Sequence, residues 1–125
     1  DNVFKRSLYA VKEINRVIQA CVALDNGDIE TLGKLMFETH EGLSKNYEVS
    51  CAELDYLVDL AKAEQDVIGS RLMGGGFGGC TITLVKKGSE ETIKEKFAKL
   101  YANQFGIELK TYDVKVSNGT SLYKN

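Results

Sequence analysis

No run in the chain approaches the roughly 18 consecutive apolar residues of a membrane-spanning helix, and no basic segment leading into an apolar core and small residues marks a secretory signal at its start. The expected compartment is the cytosol, and no membrane partner is expected. Excess charge is also missing: 16 Lys and Arg against 18 Asp and Glu leave a net charge of −2, too little field to draw in nucleic acid or anionic lipid. Cysteine is scarce. Cys21, Cys51 and Cys80 are odd in number and about thirty residues apart, which fits neither a disulfide framework nor a metal site. They read as reduced, mostly buried, small apolar residues. The His-Arg-Asp and Asp-Phe-Gly triplets of protein kinases are absent as well, and 125 residues could not hold the rest of that machinery. A chain of this length buries roughly two-thirds of its unfolded surface, enough for one core and not for two.

What the chain does have is Arg71-Leu72-Met73-Gly74-Gly75-Gly76-Phe77-Gly78-Gly79-Cys80. Glycines packed this densely make sense where the backbone turns through positive φ or lies against something with no side chain between. Val67 to Met73 before the stretch and Thr81 to Val85 after it are apolar and β-branched, so both flanks read as strands. The short link makes them antiparallel, since a parallel crossover takes a dozen residues or more. That context rules on three phosphate-loop patterns. Gly74-x-Gly76-x-x-Gly79 fits the dinucleotide fingerprint by letter but feeds a strand where the fingerprint needs a helix. Gly74-x-x-x-x-Gly79-Cys80-Thr81 has Cys80 where a Walker A loop needs its lysine. A kinase-type glycine loop does join strands, but its partner motifs are missing. A plain glycine-rich hairpin without a ligand is the remaining alternative.

Around the loop the pattern is helical. Phe4, Leu8, Val11, Ile14, Ile18, Cys21 and Val22 recur at three and four residues, as in a helix buried on one side, which stops at Asp25-Asn26-Gly27. Asp28 is placed to cap a second helix with Ile29, Leu32, Met36, His40 and Leu43 inward. His40 is then a core histidine with its ring nitrogens hydrogen-bonded; a role beside the glycine loop is the sharper alternative. Ser50-Cys51-Ala52-Glu53 reads as a capping box that starts a third helix at Cys51, burying Leu54, Leu57, Val58 and Ala61. Ser89 is placed to cap a fourth helix with stripe Ile93, Phe97, Leu100 and Gln104, ended by Gly106. Glu108 to Val116 alternates like a final strand, and Leu122 and Tyr123 suit a short last one. The lysines Lys94, Lys96, Lys99 and Lys110 are interleaved with glutamates and read as a solvated face. Helices covering one face of an antiparallel sheet make an α+β domain.

Gly69-Ser70-Arg71 followed by Gly74 to Thr81 resembles the third signature motif of the galactokinases, within the superfamily of sugar and metabolite kinases. Met36 to Leu43 and Tyr47 to Asp55 also resemble the galactokinase pattern, in the right order. Leu72-Met73 departs from the more usual Met-Thr, and Ala52 from a common proline; no glycine is lost. The resemblance implies a ferredoxin-like C-terminal domain of that superfamily, with Gly74, Gly75, Gly76, Phe77, Gly78 and Gly79 as an active-site loop; Ser70, Arg71 and His40 are candidate neighbours of it, and the resemblance itself lends His40 no role, since the family's catalytic groups lie elsewhere. It implies ATP with Mg²⁺ as cofactors and galactose as substrate, phosphorylated at the anomeric hydroxyl. The family's sugar-binding segment and its Gly/Ser-rich ATP loop have no counterpart among these residues. Residues 1–125 are therefore expected to be one domain, the C-terminal one, with the N-terminal ATP and sugar domain absent. On that reading the chain holds no catalytic residue and no metal ligand, binds no cofactor by itself, and is inactive alone. A Cβ at Gly75 or Gly76 is expected to impair phosphoryl transfer. The surface around Phe77 and the start of the first helix is expected to face the other domain, so that the isolated chain self-associates or holds its loop mobile. The equivalent domain of a related kinase, such as one for N-acetylgalactosamine, and a free-standing α+β module that binds a phosphate ligand or regulates remain open alternatives.

Overall fold

The computed structural model describes residues 1–123. The elements follow as helix α1 (Asn2–Asp25), helix α2 (Ile29–Gly42), a π-helical turn (Leu43–Tyr47), helix α3 (Ala52–Ala63), strands β1 (Val67–Met73) and β2 (Cys80–Val85), and helix α4 (Glu90–Phe105). Leu122 lies in the irregular end of the described chain, as does Tyr123, so no last strand forms there.

The helix ends follow local chemistry. Asp1 accepts the Val3 N–H at 3.0 Å to open α1, and Asp28 accepts Thr31 N–H at 3.0 Å and the Thr31 hydroxyl at 2.6 Å to open α2. Gly106 closes α4 in the left-handed region, φ 66°. The third helix differs from the capping-box expectation. Cys51 occupies the cap position of α3, no side chain bonds there, and the buried Ser50 Oγ is left without a hydrogen bond of normal geometry. Ser89 likewise stands at the cap of α4 without bonding; Glu90 reaches back instead to accept Gly88 N–H at 2.7 Å.

α1 packs the opposite way from its expected orientation. Phe4, Leu8, Val11, Ile14, Ile18 and Val22 are between 41% and 68% exposed, and Cys21 is exposed too. The face turned to α2 carries Tyr9, Glu13, Arg16, Ala20 and Ala23. Glu13 binds Arg16 and accepts the Thr39 hydroxyl at 2.6 Å, so the seam is closed by a half-buried polar network and small alanines. Period shows which residues share a face; it does not show what covers that face. The other cysteines also depart from expectation, Cys51 being half-buried and Cys80 exposed.

β1 and β2 pair antiparallel, with Met73 opposite Cys80, Arg71 opposite Ile82 and Ser70 opposite Thr83, and a register shift between Val67 and Gly69. α2 lies directly on β1. A Cβ on Gly69 would come within 2.5 Å of Gly33 Cα and 2.8 Å of Gly33 O, so helix and strand meet backbone to backbone. α3 buries Leu54, Leu57, Val58 and Ala61 as the spacing predicts. Leu57 and Ala61 join Val67 and the α4 residues Ile93, Phe97 and Tyr101 in the main apolar cluster. In α4 it is Tyr101 that completes the buried stripe, while Gln104 is exposed.

The sheet stops at two strands among the described residues. Residues 107–123 form no ladder, and Tyr112, Val114 and Val116 are exposed, contrary to the strand expected over Glu108 to Val116. An alternating segment becomes a strand only by pairing with a neighbour's edge. Here the segment is tied to α4 instead, through Lys94 Nζ to Asp113 Oδ1 at 2.6 Å and Leu109 packed on the apolar cluster. The α+β class stands, with helices on an antiparallel sheet.

Candidate functional site

The glycine stretch is the link between β1 and β2, and most of it runs through the left-handed half of conformational space. Gly74, Gly76, Gly78 and Gly79 have φ of 86°, 84°, 125° and 92°, and Phe77 sits among them at 59°. A phenylalanine there is uncommon and is held in place by its surroundings. Phe77 N–H donates to Val49 O at 2.6 Å, while its ring is 77% exposed. A Cβ on Gly76 would run into Val49 O and come within 2.9 Å of Val49 Cβ. Gly75 differs from its neighbour: its φ is not positive and a Cβ on it meets nothing within 4 Å. The expectation that Gly75 and Gly76 need glycine alike therefore holds for Gly76 alone as a matter of backbone geometry.

Val49 belongs to the connector between the π-helical turn and α3, which is itself fastened on both sides. Its N–H donates to Leu43 O at 3.0 Å, and Glu48 before it is left-handed, φ 63°. The Glu48 carboxylate takes Lys5 at 3.4 Å and Arg6 at 3.2 Å from the start of α1, and those cations hold it below the usual glutamate range. At the loop's other anchor, His40 Nδ1 accepts Leu72 N–H at 3.1 Å and His40 Nε2 lies 3.0 Å from Asp55 Oδ1. Ser44 Oγ donates to Asp55 Oδ2 at 3.0 Å.

Burial pushes the His40 ring below its ordinary value, against the pull of the Asp55 carboxylate. Burial acts on Asp55 in the opposite sense, but the Ser50 and Ser44 hydroxyls and the His40 ring outweigh it, and the carboxyl lies below the usual aspartate range. Ser50 acts there by proximity, since its Oγ makes no hydrogen bond of normal geometry.

The residues expected beside the loop are arranged as follows. Ser70 is fully buried and its Oγ lies 2.8 Å from Thr83 Oγ1 across the two strands. Arg71 is half-buried, with Nε donating to Leu72 O at 3.0 Å. Neither hydrogen bond reaches a residue of the loop. His40 reaches the strand two residues before the first loop glycine, with both ring nitrogens used.

Two grooves mark the surface. One of about 610 Å³, lined by Lys5, Lys12, Arg16, Glu38 and Glu41 among others, runs between α1 and α2 away from the loop. The other, about 330 Å³, adjoins the loop at Gly79 and Cys80 and lies between β2, α4 and residues 109–114. Among the described residues no three His, Cys, Asp or Glu side chains gather into a metal-binding set, and no helix is long and apolar enough to cross a membrane.

A family model described as the C-terminal domain of GHMP kinases matches residues 12–103 of the chain. The chain belongs to that family. As a GHMP kinase C-terminal domain it has relatives among the galactokinases, being 44% identical to that of Thermotoga neapolitana over 119 residues, which are 95% of this chain and 34% of that protein. It is 40% identical to the galactokinase of Lactobacillus helveticus over 93% of this chain and 30% of that one. Its fold matches the crystal structure of Lactococcus lactis galactokinase complexed with galactose, with TM-score 0.83 and 33% identity over 86% of this chain and 28% of that chain. The GHMP domain described here thus spans about a third of the length of the curated relatives it matches.

Sequence reasoning missed the residues that hold the loop. Val49 takes part through its carbonyl oxygen, which no side-chain pattern reveals, and Asp55 enters the sequence reading only as the last residue of the segment Tyr47 to Asp55, with no contact assigned to it. The one usable signal was the density of matching residues over Tyr47 to Asp55, which marked that connector without saying what it grips.

Proposed function

We propose that this chain is the C-terminal domain of a galactokinase, which transfers the γ-phosphoryl group of ATP to the anomeric hydroxyl of galactose in the cytosol. The observation that carries the reading is the left-handed glycine loop clamped to Val49, in a chain 44% identical to a galactokinase over nearly all its length. Phosphoryl transfer asks a protein mainly to position its reactants and to meet developing negative charge with fixed dipoles. A loop with almost no side chains lets its own backbone form one wall of the cleft, so that a neighbouring phosphate loop and the substrates approach its amides closely. Gly74 to Gly79 shape the site in this way and do no acid or base chemistry.

The catalytic groups, the sugar ligands and the ATP loop lie in the other two-thirds of the enzyme. On this reading the Mg²⁺ that accompanies ATP, which neutralises phosphate charge, takes its protein ligands there too. The apolar face of α1 and the exposed Phe77 are the surfaces offered to that part.

The test is to assay the 125-residue chain alone and joined to the remainder of its enzyme for ADP release against galactose and a small panel of other sugars. The reading expects no release from the chain alone and galactose-dependent release from the joined protein. Galactose-dependent turnover by the chain alone, or a joined protein that phosphorylates only N-acetylgalactosamine, would overturn it.

A further inference from the structure

We propose that His40 is a positioning residue for the glycine loop, steadying its base and the connector that holds its tip through one hydrogen-bonded relay that runs from Ser44 through Asp55 and the imidazole to the backbone of β1. The role in phosphoryl transfer rests on the function proposed above; the relay itself stands on geometry alone.

The protonation state of each member follows from its partners. Leu72 N–H can only donate, so Nδ1 of His40, 3.1 Å away, is the bare acceptor nitrogen. Nε2 then carries the proton and donates to Asp55 Oδ1 at 3.0 Å. The second carboxylate oxygen is occupied by Ser44 Oγ at 3.0 Å. A carboxylate that fixes the tautomer and plane of an imidazole, so that its far nitrogen is presented rigidly, is a familiar way of orienting a ring toward a metal. In this chain the far nitrogen holds a strand's backbone instead.

The placement is what gives the relay reach. Leu72 is the second residue before Gly74, so its N–H ties β1 to α2 just before the loop leaves the sheet. The loop's tip is anchored by Phe77 N–H on Val49 O, and Val49 lies on the connector whose two sides, Ser44 and Asp55, bond to one another. Loosening Asp55 therefore slackens the imidazole that grips the base and removes one tie of the connector that grips the tip, which keeps its bonds from Val49 to Leu43 and from Glu48 to Lys5 and Arg6. Burial alone requires a partner for each ring nitrogen; what distinguishes His40 is where they lie, one on the strand that enters the loop and the other on α3 beside the connector that holds its tip.

Two substitutions separate the halves of the ring. His40→Asn keeps an acceptor close to the place of Nδ1 and loses the reach to Asp55; His40→Gln keeps the reach to Asp55 and loses the near acceptor. Amide hydrogen exchange on the 125-residue chain, read by NMR, should show Leu72 exchanging about tenfold faster in His40→Gln, the ratio set by one hydrogen bond of ordinary net strength. Val58 in the core sets the scale for any global loss. His40→Asn should restore Leu72 protection. Asp55→Asn should loosen Phe77 more than Val58 and serves in place of His40→Gln if that variant does not fold. If Leu72 and Phe77 change only by the factor seen at Val58 in every variant, His40 is a core residue and the proposal fails. In the enzyme joined to its remainder, His40→Gln should lower kcat while the KM for galactose holds, with recovery in His40→Asn. Faster loop exchange with unchanged kcat would uphold the relay and remove the loop from phosphoryl transfer, which counts against the function proposed above and not against the positioning.

Discussion

Replacing Gly76 by alanine offers the most discriminating perturbation, because two routes are open to the molecule and their costs differ. If the loop stays docked, the new residue holds φ at 84°, which costs a residue with a Cβ about 1–2 kcal/mol. Its methyl must also displace Val49 O and Val49 Cβ, for which overpacking costs of about 1–3 kcal/mol are typical. If the loop lifts off, the loss is chiefly the Phe77 to Val49 hydrogen bond, about 0.5–1.5 kcal/mol, since both groups can then reach water. The cheaper route wins. Gly76→Ala should therefore lose about 1 kcal/mol, lowering Tm by roughly 4 °C in a chain of this size, while the Phe77 amide loses its exchange protection. Gly75→Ala is the matched control: its Cβ points into open space, and a change within about 0.5 kcal/mol is expected. In the full enzyme the displaced loop should cost about a hundredfold in kcat/KM, the scale of a misplacement of about an ångström. A Gly76→Ala chain with wild-type Tm and a protected Phe77 amide would refute the clamp.

Three further outcomes follow from the same geometry. The outward stripe of α1 should drive self-association: stripe against stripe buries on the order of 1,200 Å², the lower edge of stable interfaces, so sedimentation should show a dimer that Val11→Lys with Ile18→Lys abolishes at unchanged Tm. A strictly monomeric wild-type chain would contradict this. Stability should fall on acidification: His40 has its folded value depressed below 6.5, so the unfolded chain binds more protons, and its contribution is present in full above 6.5 and lost as pH drops through and below it. Urea midpoints should decline from pH 7.5 to 5.5 and the decline should shrink in His40→Asn. Leu72→Ala, at a side chain with no exposure, should cost about 2–5 kcal/mol by urea unfolding.

The parts of the fold that local chemistry decides could be read in advance. Asp28 caps α2, the α3 stripe is the one that the spacing names, and Gly106 ends α4. The hairpin followed from two β-branched flanks and a short link. Errors arose where the answer depends on what lies opposite. The apolar face of α1 is real but turned outward, because Glu13, Arg16 and Thr39 close a polar seam on its other side. Residues 108–116 alternate yet stay unpaired, with Asp113 drawn to Lys94. For the site, the glycines announced a backbone purpose, whereas the clamp that gives them shape is a carbonyl of Val49 and a ring nitrogen facing an amide. Such contacts join residues far apart in the chain, and no short-range pattern encodes them.

The meeting of Gly33 and Gly69 has a mechanical consequence. Where most helices rest on a sheet through a cushion of side chains that can change rotamer, α2 and β1 touch through main-chain atoms, Gly33 O lying 2.8 Å from the place of a Cβ on Gly69. Main chain against main chain has no soft degree of freedom with which to absorb a push. Helix and strand are thus welded into one stiff lever, with the imidazole of His40 farther along the helix and the first loop glycine at the end of the strand. A shift of α2 at this crossing has to carry β1 with it, and β1 runs on from Gly69 to Met73, the residue just before the first glycine of the loop.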